Sequence, residues 1–350
     1  MKDPTRITLD QLKQALLDVS RPLPPVYLYR LSDLSDQDLS EIKSFWNEIP
    51  TWRKQALMED IEELSENDPL LSYENLSLFA LSDADERVRE LAIRSLSYYE
   101  EPSYLNTLLN ILENDQSAIV RAEAASALGR FVYMGEVDEL PAERLREVED
   151  RLIQIFTSND ALIVRRCALE SLGYSSRPEV EDFMREAYYS GNRDLLASSL
   201  HAMGRSANSD WTPLVEAMLD HEDPVIRYEA ARAAGELEAT TCRRRLLELV
   251  DDPDLDVRLA AIWSLSQIGG EGVMEKFMHL YETTEDDEVF ALLEDAMDNL
   301  AFTEGNGFFG LLDIERMTRQ DDEEDLEDYL EEEWDDFADE DYEDDEEDEI

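Results

Sequence analysis

Basic residues are scarce in this chain. Its 350 residues hold 31 Lys and Arg against 86 Asp and Glu, a formal net charge of -55. Without a positive excess there is nothing to displace counterions from a phosphate backbone, which excludes nucleic acid as a direct electrostatic target. An anionic membrane surface is excluded for the same reason. Cysteine occurs only as Cys167 and Cys242, too few for a disulfide framework or a cysteine-rich metal centre. Histidine occurs only at 201, 221 and 279, too dispersed to suggest a catalytic or ligating cluster. Glycine-rich phosphate loops are absent, as is the D-x-[DN]-x-[DN]-G pattern that organises calcium ligands. No run of eighteen apolar residues occurs, and the opening MKDPTRITLD lacks the apolar stretch of a secretory signal. The expectation is a soluble cytoplasmic protein with no cofactor, no metal and no catalytic residue. What is present is 43% hydrophobic content, enough to build a core.

The acid is unevenly placed. Residues 321–350 read DDEEDLEDYLEEEWDDFADEDYEDDEEDEI, with 22 acidic residues and no basic one; removing those 22 charges still leaves -33. At that charge density self-repulsion opposes any fold, so the tail is expected to be disordered when free. Its apolar residues are spaced inside the acid. Tyr329, Trp334, Asp335, Asp336, Phe337 and Tyr342 are the candidate partner-binding residues, the aromatics adding apolar anchors that pure charge lacks.

The body repeats itself. DADERVRELAIRSLS from Asp83, DQSAIVRAEAASALG from Asp115, NDALIVRRCALESLG from Asn159, HEDPVIRYEAARAAG from His221 and DPDLDVRLAAIWSLS from Asp252 superimpose. Each has a polar start, then Val or Ile followed by Arg, with Ala three residues later. The anchors are Val88, Val120, Val164, Ile226 and Val257. A weaker copy places Leu195 in that role, and another begins at DDEVFALLEDAM with Val289, or by pattern Leu292. Successive anchors lie about 31–32 residues apart, with one longer step of 44, the period of stacked helical pairs. After each anchor, small and apolar residues at three- and four-residue spacing form a stripe, as in Val120, Ala124, Ala127 and Leu128. Gly129, Gly173, Gly204 and Gly235 stand where a left-handed helix cap is expected. Pro224 and Pro253 suit a first helical turn.

The pattern, clearest in DPVIRYEAARAAG and DLDVRLAAIWSLS, resembles HEAT repeats over roughly residues 50–300, most closely the PBS-lyase or EZ-type subclass. The resemblance implies an all-α, right-handed solenoid of stacked antiparallel helix pairs. It also implies an Arg–Asp ladder between repeats, here Arg89, Arg121, Arg165, Arg227 and Arg258, with Asp85, Asp223 and Asp254 as possible partners. Leu196 stands where the ladder expects Arg, so a break is expected there. The family's hydroxylases carry several His-Glu pairs; this chain has one, His221-Glu222, and it reads as a turn. Nothing singles out a bilin-binding residue, and DNA-repair relatives would need a basic track that this composition denies.

Thr8 and Ser35 read as helix N-caps, and between them SRPLPPVYLYR is expected to be extended. Its Pro run could present a polyproline element, but a packed connection is the simpler reading. The 44-residue step predicts a longer loop with an extended helix around FVYMGEVDELPAERLREVED. Cys167 reads as core, and Cys242 as a helix-start cysteine with no base beside it. The expected organisation is an N-terminal cap over 1–48, a solenoid of seven to eight units over 49–303, a linker over 304–320 and the tail over 321–350.

These features point to a non-enzymatic interaction protein, with a monomer as its expected state. Its natural partner is a basic protein or a basic segment of one, captured by the acidic surface and tail. Two alternatives stay open at this stage: a nucleic-acid mimic that occupies another protein's DNA- or RNA-binding groove, and an accessory lyase. The tail could also fold back on Arg243-Arg244-Arg245 and block itself.

Overall fold

The computed structural model describes residues 7–303 except 69, 100, 101 and 285. The chain divides between Leu237 and Glu238 into two compact units. All regular structure among the described residues is helical.

The first unit opens with α1 (Leu9–Leu17), α2 (Val26–Arg30), α3 (Asp36–Phe45) and α4 (Thr51–Asn67). Five helix pairs follow: α5 (Glu74–Ala80) with α6 (Glu86–Leu96), α7 (Leu105–Asn114) with α8 (Ala118–Glu136), α9 (Ala142–Phe156) with α10 (Leu162–Leu172), α11 (Pro178–Tyr188) with α12 (Arg193–Arg205), and α13 (Thr212–Glu216) with α14 (Pro224–Glu236). The second member of each pair packs on the second member of the next, so α4, α6, α8, α10, α12 and α14 form one continuous row. The second unit holds α15 (Arg243–Leu249) with α16 (Leu255–Ile268), and α17 (Val273–Thr283) with α18 (Asp287–Thr303), α16 lying against α18. Each unit is a stack of helix pairs, the solenoid architecture that the repeats predict.

The repeat pattern sets this packing residue by residue. Val88, Val120, Val164, Ile226 and Val257 are fully buried, and Val289 nearly so. Leu292 is only partly covered, which settles the last anchor as Val289. Four residues after each of the first six anchors stands a small side chain: Ala92, Ala124, Ala168, Ser199, Ala230 and Ala261, all fully buried. A larger residue there would force neighbouring helices apart. Several second helices start on a short polar side chain. Asp85, Asn192 and Asp254 accept the N–H of Val88, Leu195 and Val257 at 3.1–3.3 Å, satisfying a donor that the helix itself leaves open. Thr8 forms a reciprocal cap with Gln11, and Ser35 caps Asp38.

Four local expectations are corrected. Gly129, Gly173, Gly204 and Gly235 do not form left-handed caps: all lie within or directly on a right-handed helical turn. Three of them allow close helix approach instead. A Cβ on Gly129 would meet Ser171 Oγ at 2.8 Å, one on Gly173 the Ala202 backbone at 2.8 Å, and one on Gly204 the Ala233 Cα at 2.9 Å. Left-handed residues instead follow α8, α12 and α14, at Asp138, Ala207 and Glu238. Pro253 precedes the Asp254 cap and so stands outside the first turn of α16, whereas Pro224 does occupy that turn of α14. Val26–Arg30 is helical, because Tyr27 and Leu28 donate to the carbonyls of Pro24 and Pro25 and the prolines serve as its start. The 44-residue step is taken up mainly by lengthening α8 to 19 residues and α9 to 15, with a short connection turning at Asp138.

Candidate protein-docking surface

The turns before the second helices carry a series of charged rungs. Arg89 grips Asp115 of the next repeat with two bonds of 2.8 Å and also donates to the Asp83 carbonyl of its own turn. Arg121 repeats this on Asp160 at 2.5 and 3.0 Å, with a bond to the Asp115 carbonyl. In the second unit Arg258 holds the Asp252 carbonyl and reaches Asp286 at 3.5 Å. Ahead of the series Lys54 meets Asp83 at 2.8 Å, both nearly buried, with the Trp46 indole N–H on the same carboxylate. The rung acids mostly precede the positions expected for them. Asp85 and Asp254 cap their own helices, whereas Asp223 and Asp286 each accept an N–H at the start of the following helix and also take a cation.

Two positions depart from the series. Arg165 donates to the Phe156 carbonyl and lies over its ring, while the next turn offers Asn192, which caps α12. At the break expected from Leu196, Arg193 at the start of α12 reaches Asp223 by a bidentate contact. Arg227 clamps the His221 and Glu222 carbonyls of its own turn. His221 accepts the Asp223 N–H, which makes it a turn residue.

The electrostatics of the rung acids follow from these partners. Burial alone would raise Asp115, but bonds from Arg89 and the Ser117 N–H outweigh it and hold the carboxyl below its ordinary value. Asp160 is held low by Arg121. Asp83 is also held low, its burial overcome by Lys54, the Asp85 N–H and Trp46.

The exposed side of the second-helix row has the opposite character. From Gln55 through Glu86 the sequence has ten acids and no basic residue, and five of the acids fall on α4: Glu59, Asp60, Glu62, Glu63 and Glu66. Beneath them Glu90 on α6, itself buried, and the half-buried Glu123 on α8 continue the carboxylates across two repeats. Arg94 sits between them, donating to Glu90 at 2.8 Å and Glu123 at 3.2 Å, while Arg87 bridges Glu90 and Glu59 at 3.0 and 3.1 Å. The arginines do not neutralise the group. Burial pushes the Glu123 carboxyl up, and the charges of Glu90 and Glu62 add to the rise against the pull of Arg94. Burial raises Tyr98 as well, reinforced by Glu66 and Glu62. Asp60 is raised by burial and by Glu63 and Glu59. Such crowding of like charge favours any incoming cation.

Further along the row the pattern becomes mixed and polar. Arg166 and Glu170 converge on Ser198 at 2.9 and 2.5 Å, and His201 Nδ1 lies 3.1 Å from Glu229. Cys167 is partly covered there, and burial raises its thiol to about 11, so it is no reactive thiolate. Cys242 is fully buried. Among the described residues no group of three or more His, Cys, Asp or Glu is placed to hold a metal ion. No helix among them is long and apolar enough to cross a membrane. Of the basic run, Arg243 donates to the Gly269 carbonyl and Arg245 meets Glu248, which leaves Arg244 the exposed member. Pro22, Leu23 and Pro25 form one wall of a groove of about 590 Å³ opposite Trp52 and Asp60, a packed connection. The tail candidates Tyr329, Trp334, Asp335, Asp336, Phe337 and Tyr342 lie outside the described residues.

Comparison with known proteins matches residues 74–148 and 211–298 to HEAT repeats. The two matched stretches, together less than half of the chain, are similar to HEAT repeats. Stacked repeats of this kind present extended surfaces. Similar folds occur in the complex of CpcE and CpcF of phycocyanin lyase from Nostoc sp. (21% identity over 65% of this chain and 94% of that one, TM-score 0.43). Human deoxyhypusine hydroxylase is a second (20% identity, 74% and 95%, TM-score 0.34). The karyopherin Kap121p, bound to the extreme C-terminus of the phosphatase Cdc14p, is a third (14% identity, 85% and 38%, TM-score 0.42). These likenesses concern the fold alone.

The acid-rich face of α4, α6 and α8 was not singled out by motif reading. Its signal was available as the stretch from 55 to 86 without a basic residue, but the helical row that joins it to Glu90 and Glu123 emerges only from the packing.

Proposed function

We propose that this HEAT-repeat chain is a non-enzymatic adaptor that binds a basic protein, or a basic segment of one, on the carboxylate face of its second helices. The observation that supports this reading most directly is the seat of Arg94. An arginine already lies across two repeats there, held by Glu90 and Glu123, and the surrounding Glu59, Glu62 and Glu66 retain acceptor capacity. A partner's Arg or Lys side chains would be received by the same charge-assisted bonds. The 321–350 polyanion, with Trp334 and Phe337 as apolar contacts, raises the encounter rate and the local concentration of the partner.

The test is a binding titration of a labelled Arg/Lys-rich peptide against three chains: the full chain, a chain ending at Gln320, and the full chain carrying Glu59→Gln, Glu62→Gln and Glu66→Gln. Removing the tail should slow association by about tenfold at low salt, because steering is a long-range charge effect. The triple variant should chiefly speed dissociation, because it removes acceptors at the seat. Raising salt from about 50 to about 300 mM should weaken all binding that depends on exposed charge. Affinity indifferent to salt, tail and face alike would sink the reading.

A further inference from the structure

The groove between residues 19–25 and α4 is held open by the chain's own contacts. Arg53, buried near the start of α4, donates to the carbonyls of Asp18 and Arg21 at 2.8 and 2.7 Å and lies 4.7 Å over the Trp52 ring. These contacts fix the connection against the helix, so the groove between them is preformed. Its volume of about 590 Å³ falls within the range of ordinary ligand pockets. Two large apolar side chains of its lining stay open to water, Val19 at 56% and Trp52 at 51%. Leu23 and Ala56 are only partly covered.

One charged group of the lining lacks a partner. Asp60 is half-buried, one turn after Ala56 on α4, and makes no hydrogen bond or ion pair among the described residues. Glu59 and Glu63 lie close enough to repel its charge. The cations of the lining are already engaged, Arg53 on its two carbonyls and Arg21 on Asp18 at 2.8 Å. Helical spacing puts Asp60 between Arg53 and Ala56 on the groove side and Glu59 and Glu63 on the acid face, so the two surfaces meet at this carboxylate. We infer that the groove receives a large apolar side chain of the basic partner, while an Arg or Lys next to it in the partner reaches Asp60 and Glu63. The inference rests on the adaptor reading above and adds its anchor: charge draws a segment to α4, and the groove selects among basic segments. Charge complementarity favours this occupant over others. A second copy of a chain at -55, or the 321–350 segment with no basic residue, would bring more acid to Asp60. An uncharged segment would leave it unpaired. A basic segment gives the carboxylate a charge-assisted bond and buries apolar surface that salt does not screen.

Two Arg/Lys-rich peptides of equal charge test this on the full chain, one with a single central Leu and one with Ser in its place. The Leu peptide should bind about tenfold more tightly, the effect of burying one such side chain. Ala56→Phe fills the groove and Trp52→Ser removes a wall, so each should bring the Leu peptide down to the affinity of the Ser peptide. Asp60→Asn should weaken the Leu peptide about threefold. Glu59→Gln with Glu62→Gln and Glu66→Gln should weaken both peptides alike. Hydrogen exchange locates the contact: the Leu peptide should slow exchange over 52–60 more than the Ser peptide does. Equal affinity for the two peptides, with the triple variant still weakening both, overturns the groove and leaves the adaptor reading standing. A parent chain that binds neither peptide overturns both. A Leu advantage that survives Ala56→Phe and Trp52→Ser overturns the inference by placing the anchor elsewhere. So does an advantage that appears only in a chain ending at Gln320, which assigns the groove to the tail, or a dimer that the Leu peptide dissociates, which assigns it to a second copy.

Discussion

Arg89 and Arg193 make chemically identical contacts with different consequences. The Arg89–Asp115 pair has side chains only 14% and 11% exposed, whereas Arg193 is 54% exposed in its pair with Asp223. Solvent screens the second pair and ordering a long side chain offsets much of its gain, so its coupling should be about 0.2–1 kcal/mol. The first is bidentate and shielded, and Asp115→Asn should cost about 2 kcal/mol. Double-mutant cycles read by urea unfolding separate the two; equal couplings would show that burial does not set the strength of the ladder. The sign of the pH dependence follows. Asp83, Asp115 and Asp160 have folded values below their unfolded ones. Their stabilisation is complete above the unfolded value, about 3.9, and is lost as pH falls through the lower folded value. Glu123 is raised instead, so its ionisation opposes folding at neutral pH, and that penalty disappears on acidification. Glu123→Gln should therefore stabilise the chain at pH 7 and make no difference near pH 3. Acid and neutral urea titrations of Asp115→Asn and Glu123→Gln should move in opposite directions at pH 7.

At the scale of helices, propensity and packing make opposite forecasts at Gly173. Gly173 closes α10 in a right-handed conformation, where helix propensity favours alanine over glycine by at most about 1 kcal/mol, which alone would make Gly173→Ala stabilising. The added Cβ, however, meets the Cα and carbonyl oxygen of Ala202 at 2.8 Å, and backbone cannot swing aside as a side chain tip can. Forcing α10 from α12 costs about 1–3 kcal/mol, so the variant should be destabilised on balance, with a lower urea midpoint and an unchanged slope. The same residues show what sequence makes legible. Anchor spacing gives the helix pairs and the small residue at each crossing, because these depend on local chemistry repeated in every unit of the stack. Gly173 itself was visible, but its role was not: a cap glycine and a crossing glycine share a sequence position, and only the neighbour in space distinguishes them. Arg193 escaped for a related reason, since a cation three residues from the expected one reaches the same carboxylate from a different turn. The carboxylate face was half visible, because composition reveals the acid on α4 while the row linking Glu62 to Glu123 is a product of packing.

For the whole molecule, net charge governs both stability and partner capture, and salt acts on the two in opposite senses. A chain at -55 repels itself, so added salt should raise the unfolding temperature of the free protein as that repulsion is screened. Ending the chain at Gln320 leaves -33, and the shortened protein should melt higher at low salt with a flatter response. A bound basic peptide adds stability by mass action, about 2.7 kcal/mol at a hundred times its dissociation constant, but salt weakens that binding. The difference in melting temperature between bound and free chains should thus close from both sides as salt rises, the free curve climbing while the bound one loses its ligand. Thermal unfolding of both chains, with and without peptide across a salt series, measures each arm separately. A free chain that loses stability with salt would mean that the attractive rungs, beginning with Lys54–Asp83 and Arg89–Asp115, outweigh the repulsion of the excess acid. A bound chain whose advantage survives high salt would shift the partner's anchor from charge to apolar contact.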